Sequence, residues 1–168
     1  MHCGKLTFFC GKMGAGKSTR SRVTAQSEGA VLLSEDAWLA ALYPEEIATL
    51  ADYVERANRL KPPIEALVHS LLQSGTSVVM DFPANTLPQR AWLRGLYTAV
   101  SAPHELIYLD ASDTLCLARI AQRRVAEPER AATDTPKMFA AVTRHFVPPQ
   151  PDEGFNVTVV AVSEESNA

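Results

Sequence analysis

One short stretch constrains this chain more than any other. Gly11-Lys12-Met13-Gly14-Ala15-Gly16-Lys17-Ser18 fills every fixed position of the pattern G-x-x-x-x-G-K-[ST]. Its flanks also match: the apolar run Leu6-Thr7-Phe8-Phe9-Cys10 precedes it, and a helix is predicted over 17–28. A strand that turns through glycines straight into a helix leaves backbone N–H groups pointing inward around an anion. The open N-terminus of the helix adds partial positive charge and free donors. A lysine placed like Lys17 reaches the outer phosphates of a nucleoside triphosphate, and a hydroxyl placed like Ser18 ligates Mg²⁺.

The rest of the chain is read around that unit. Further strand-length apolar runs lie at 30–33, 78–80, 106–109 and 155–162, with Asp81 and Asp110 closing the third and fourth of the five. Continuous runs of this kind suit strands buried on both faces. Helices are predicted from Pro44 towards Leu60 and from Pro63 to a cap at Gly75, with the Pro62-Pro63 pair as the break between them. Others are predicted from Pro88 through Leu96, over 113–124 behind the cap Ser112, and over 136–146. Strands alternating with helices predict an α/β fold, a parallel sheet with helices on both faces.

The chain has 168 residues, 46% hydrophobic and 21% charged, which suits one domain, 1–168, with a full core and no staples. The net charge of −3 argues against a broad nucleic-acid surface, though not against a small basic groove. Cys3, Cys10 and Cys116 form no CxxC, so a reducing compartment is the simpler reading. No apolar run approaches the roughly 20 residues of a membrane span. The first residues also lack the length and cleavage site of a secretory signal. The expectation is a cytoplasmic protein with no membrane partner, a monomer or weak dimer.

Two carboxylates and two arginines are the candidates for chemistry. Asp81 ends the third run, and a carboxylate at the carboxyl end of a buried strand faces the ligand crevice of an open α/β sheet. There it would hold Mg²⁺ together with Ser18; the competing reading is a turn aspartate. Asp36 follows the second run and is the candidate base, or orienting acceptor, for a hydroxyl near the γ-phosphate. Ser34-Glu35-Asp36 reads equally as a helix start, where acids favour the dipole, and Glu35 is the alternative base. Arg119 and Arg123 lie about 40° apart on one helix flank. They lead into a polar segment, about 124–136, that reads as a small lid bringing positive charge to the phosphates; a solvated helix end is the competing reading. His69, His104 and His145 show no metal-ligand spacing. Trp38 and Trp92 read as core, although Trp38 could line an acceptor pocket beside Asp36.

With these pieces in place, the chain resembles the small P-loop kinases of the AAA-family group. That group is similar to polynucleotide 5′-kinases, chloramphenicol phosphotransferases and zeta toxins, and the nearest likeness is to bacterial predicted kinases of unknown substrate. The matching pieces run from Gly11 to Thr19, then Leu33 to Leu39, Val78 to Thr86, the Arg119/Arg123 pair, and Pro148-Pro149 before Asp152-Glu153-Gly154-Phe155. The resemblance implies a three-layer P-loop NTPase fold whose five-stranded core places the Asp81 strand beside the phosphate-loop strand. It implies ATP and Mg²⁺ as cofactors, with Gly11, Met13, Gly14, Ala15, Gly16, Lys17, Ser18 and Thr19 around the nucleotide. It implies Lys17 and Asp36 in catalysis, Arg119 stacked near the adenine and Arg123 reaching the transferred phosphate. Polynucleotide kinases carry an arginine three residues beyond the base to hold the nucleic-acid phosphate; here that position is Leu39. Trp38, Leu39, Leu42 and Tyr43 make this neighbourhood apolar, which suits a less charged small molecule. The expected reaction is transfer of the γ-phosphate to a hydroxyl of a small molecule. The alternatives are an ATP-binding switch acting on a protein partner and a polynucleotide 5′-hydroxyl kinase.

Overall fold

The computed structural model describes residues 2–164. Five strands form one sheet: β1 (Leu6–Cys10), β2 (Val31–Ser34), β3 (Val78–Asp81), β4 (His104–Asp110) and β5 (Val157–Ala161). Their order is β2-β3-β1-β4-β5, and every pairing is parallel. The helices are α1 (Lys17–Glu28), α2 (Glu35–Leu42), α3 (Leu50–Gln73), α4 (Leu87–Thr98), α5 (Asp113–Ala126) and α6 (Pro136–Thr143).

Alternation along β1 sets the two halves of the core. Leu6, Phe8 and Cys10 point into one apolar cluster with Leu39 of α2, Leu60, Ile64, Val68 and Leu72 of α3, and Leu93 and Leu96 of α4. Phe9 points the other way, with Val79 and Leu109, onto Ala25 of α1, Cys116 and Ile120 of α5, and Phe139 of α6. The predicted α/β architecture with helices on both faces is therefore the observed one. Strand β1 is buried along its whole length, as a central parallel strand must be.

Three local expectations fail, each for a physical reason. Pro62 and Pro63 do not break the chain: α3 runs through them as one helix of 24 residues. Both prolines lie on the exposed side, and so do Asn58 and Arg59, whose carbonyls lose their usual helical donors and can turn to water. The buried stripe Ala57, Leu60, Ile64, Val68, Leu72 continues across the pair and holds the helix to the sheet. Pro44 does not start a helix; Thr49 does, through a capping box with Asp52. Finally, β5 is not buried on both faces but forms an exposed edge, with Val159 at 61% exposure. Its apolar pattern reflects β-branched strand preference as well as burial.

Arg90, on α4, is the largest polar side chain with no exposure. Its guanidinium makes a forked pair with Glu153, at 2.8 and 3.0 Å, and donates to the carbonyls of Ala84 and Val147. It thereby clamps the turn after β3 to the connection that leads into β5, with the geometry that makes arginine–carboxylate pairs strong.

Candidate active site

The chain passes from β1 to one edge of the sheet and later crosses β1 to reach β4. The carboxyl ends of β1 and β3 therefore open into the crevice where such sheets bind ligands. The loop after β1 bends with Gly14 at φ 83° and Gly16 at φ 99°, both left-handed. At Gly14 a Cβ would stand 2.7 Å from the carbonyl oxygen of Cys116, so α5 presses on a backbone that only glycine permits. Gly16 caps α1 without a side-chain hydrogen bond, and the first turn of α1 holds no acid. That end of the helix keeps its donors and its positive field for an incoming anion.

Lys17 folds back over the loop, donating to the carbonyl of Gly11 and, at 3.2 Å, to that of Lys12. Burial pushes its pKa below the usual lysine value, and Asp81 is among the groups that pull it back. Asp81 stands at the end of β3, in register with Ser34 of β2. Burial raises its pKa; the facing Ser18 hydroxyl, Lys17 and Arg22 oppose the shift, and Asp36 adds to it. The donor set of Ser18 hydroxyl and Asp81 carboxylate beside an anion cradle fits Mg²⁺, a hard cation that takes few protein oxygens and completes its shell with phosphates and water. Among the described residues no cluster of three or more His, Cys, Asp or Glu side chains forms a closed metal cage.

Asp36 lies in the first turn of α2, a helix that Ser34 caps by accepting from the Ala37 N–H at 3.4 Å. The helix-start reading of this segment and the site reading thus coexist: capping aims the turn at the carboxyl edge of the sheet. Asp36 is exposed and lines a cavity of about 340 Å³ together with Leu39, Ala40, Tyr43, Glu45, Ile47 and Tyr53. The charge of Asp36 is felt at Asp81, at Glu35 and at Tyr53, which places it between the phosphate side of the crevice and this cavity. Trp38 is not in the cavity wall; it packs against the core. Trp92 likewise tilts against Phe82 and donates to Glu65.

Glu35 is buried, at 5% exposure, and accepts a hydrogen bond from the Tyr53 hydroxyl. Burial lifts its pKa to about 7, against the pull of the Tyr53 hydrogen bond. Burial also drives the Tyr53 hydroxyl upward, with Glu35 beside it. The pair joins the first turn of α2 to the first turn of α3, so the base candidate and the cavity wall are held as one unit.

Arg119 reaches across from α5 and donates to the Ala15 carbonyl at 3.2 Å, placing it on the phosphate loop. Arg123 is close enough for its charge to add to the lowering of the Lys17 pKa, but its guanidinium is held from the side. It makes a forked pair, at 2.7 and 2.8 Å, with Asp134, which is 2% exposed. The segment between them, read from sequence as a lid, folds as a 3₁₀ turn at Pro128–Arg130 followed by turns into α6.

Sequence reasoning left two contributors without a role. Asn85 accepts from the Gly11 N–H at 2.9 Å and so anchors the start of the phosphate loop to the turn after β3. Its signal was present in Thr86-Leu87-Pro88-Gln89, a capping box that stiffens this turn. Tyr53 had no local signal, because its partner Glu35 lies on another helix.

The sequence matches a family model described as an AAA domain over residues 6–149. No curated protein matches it. Among solved structures, a candidate kinase from Chloroflexus aurantiacus is similar with a TM-score of 0.77 and 22% identity, over 100% of this chain and 90% of that one. The APS kinase CysC of Mycobacterium tuberculosis, in complex with AMPPNP and APS, is similar with a TM-score of 0.61 and 19% identity, over 98% of this chain and 91% of that one. A chain of the Pnkp1/Rnl/Hen1 RNA repair complex has a TM-score of 0.61 and 22% identity, over 88% of this chain and 47% of that one. At these identities the likeness shows the fold, that of P-loop kinases.

Proposed function

The chain belongs to the AAA-domain family, and on that premise we propose that it is an ATP- and Mg²⁺-dependent phosphotransferase acting on a hydroxyl of a small molecule. One observation carries the reading. Asp36 stands on the rim of a cavity on one side, and its charge reaches Asp81, beside the phosphate loop, on the other. A base between a γ-phosphate site and a cavity sized for a small ligand is the arrangement phosphoryl transfer needs, since that chemistry is mainly positioning and charge stabilisation.

Each group then has a role. The amides of Gly14, Gly16, Lys17, Ser18 and Thr19 meet the phosphates, with Gly11, Met13 and Ala15 shaping the loop. Lys17 turns from the carbonyls of Gly11 and Lys12 to the outer phosphates. Ser18 and Asp81 would hold Mg²⁺, which when bound neutralises phosphate charge. Asp36 orients the acceptor hydroxyl and takes its proton. Arg119, already on the loop, meets the nucleotide. Arg123, whose charge is felt at Lys17, would meet the transferred phosphate through Nη1, which lies outside its pair with Asp134, with the 124–136 segment as the lid.

The apolar cavity wall favours a small molecule over a polynucleotide, because Leu39 stands where a phosphate-holding arginine would be expected. The test is γ-labelled ATP with Mg²⁺ and a panel of hydroxyl compounds. The expected result is slow hydrolysis alone and label transfer to an acceptor, with transfer lost in Asp36→Asn. Acceptor-independent turnover that Lys17→Ala abolishes and Asp36→Asn leaves intact would replace the reading with that of an ATP-driven switch.

A further inference from the structure

The cavity between α2 and α3 has a chemical character that goes beyond its position. At about 340 Å³ it lies at the small end of ligand pockets, which span roughly 300–1,000 Å³. Its wall is apolar and aromatic at Leu39, Ile47, Tyr43 and Tyr53, and its charged groups are two carboxylates, Asp36 and Glu45. No lysine, arginine or histidine lines it. Acidic groups continue behind the wall: Glu35, whose carboxyl burial holds towards its neutral form, is bonded to Tyr53, and Asp81 lies within electrostatic reach of both Asp36 and Glu35. Lys61 is the positive group felt at Glu35; its ammonium sits over the Trp92 ring, outside the cavity lining.

A cation that touches a wall residue from outside the lining is itself informative. The Arg56 guanidinium lies 4.8 Å from the centre of the Tyr43 ring and pairs with Glu46 at 3.3 Å. The ring therefore already holds a cation, and the charge of Arg56 is answered by Glu46. Glu45, next in sequence, makes no ion pair among the described residues. Aromatic rings with a carboxylate alongside are a strong combination for an ammonium group. An anionic ligand would meet two exposed carboxylates, Asp36 and Glu45, with no counter-charge in the lining.

We propose that this cavity takes a small alcohol bearing an ammonium group, an amino alcohol or amino sugar, and rejects acceptors bearing a carboxylate or phosphate. The ammonium faces Glu45 and the tyrosine rings while the hydroxyl lies at Asp36. The proposal rests on the phosphotransfer reading for its chemistry. The acceptor oxygen forms a bond to the γ-phosphorus, the bond from that phosphorus to the β–γ bridging oxygen breaks, ADP departs, and the hydroxyl proton passes to the Asp36 carboxylate.

Matched probes test it on the full chain. One triple is glucosamine, glucose and glucuronate; the other is tyramine, tyrosol and 4-hydroxyphenylacetate. Two readouts are taken: the rise in Tm with each probe alone, and label transfer from γ-labelled ATP with Mg²⁺. The ammonium member of each triple is expected to give the larger Tm rise and the higher kcat/KM, and the carboxylate member neither. Glu45→Gln should lower kcat/KM for the ammonium member about tenfold, the equivalent of losing about 1.4 kcal/mol of binding, and spare the neutral one. Glu45→Lys should invert the order. The proposal is overturned if the carboxylate members do as well or better, if Glu45→Lys leaves the order unchanged, or if no probe raises Tm. Carboxylate binding that disappears in Arg56→Ala would assign the cavity to anions instead. A charge-ordered Tm series with no label transfer to any probe would sink the phosphotransfer reading and leave the cavity assignment standing.

Discussion

The phosphate loop and the cavity beside Asp36 share one edge of the sheet, yet they are made of different material. The loop is backbone: left-handed glycines, an uncapped helix end and the Asn85 side chain holding the Gly11 amide. The cavity is side chain: two tyrosines, aliphatic groups and carboxylates from two helices and the connection between them. A backbone site recognises what every nucleoside triphosphate shares, a polyanion, and tolerates little change in its own residues. A side-chain site recognises what differs among acceptors, and each wall residue is replaceable. The Glu35–Tyr53 hydrogen bond ties the cavity wall to the turn that carries Asp36, the proposed base, where the two halves would meet.

That contrast can be broken at several points. The largest effect is expected at Lys17→Ala, which removes the lysine charge from the loop's proposed grip on the outer phosphates. Turnover should fall about 10²–10³-fold in any ATP assay, the scale for loss of a preorganised charge donor. Asp36→Asn should cost about 10²-fold or more in transfer while leaving nucleotide affinity, measured by calorimetry, unchanged; a parallel loss of nucleotide binding would erase the division between the halves.

Glu35→Gln sharpens the comparison through pH. The folded-state pKa of Glu35 is raised from its usual value to about 7, so its protonated form is the one the fold favours. Stability is therefore full below the unfolded carboxylate pKa and declines as pH rises towards 7. The decline is on the order of 2–3 kcal/mol, and the Gln variant should lack it in denaturant titrations from pH 4.5 to 8. The smallest effect is expected at Asn85→Ala. It orphans the Gly11 N–H and should lower stability by about 1–2 kcal/mol by chemical denaturation, with nucleotide affinity reduced because the loop loses an anchor.

The loop was legible from residue types alone because its function needs particular backbone angles, and glycine at 14 and 16 reports those angles directly. The alternation of strands and helices was legible for a similar reason, since apolar runs must be covered. The continuity of α3 was not. Local propensity places a break at Pro62-Pro63, but five buried residues on one face outweigh two prolines turned to solvent. The edge strand β5 misled in the opposite direction, because its valines suit a strand whether or not anything covers them. Arg123 stands on the helix flank that its spacing predicts, yet its partner Asp134 was invisible, since nothing in a run of polar residues marks the one that becomes buried.

By itself, then, the order of residues determined a phosphate-binding loop, a parallel α/β sheet and the two carboxylates at its carboxyl edge. These features depend on short-range geometry, which neighbouring residues impose on one another. Only the tertiary structure decided that Glu35 is buried against Tyr53, that Arg90 clamps the turn behind the loop, and that a cavity without positive charge opens beside Asp36. Those arrangements join residues far apart in the chain, and the free energy that selects them comes from packing that exists only once the sheet and its helices have closed together.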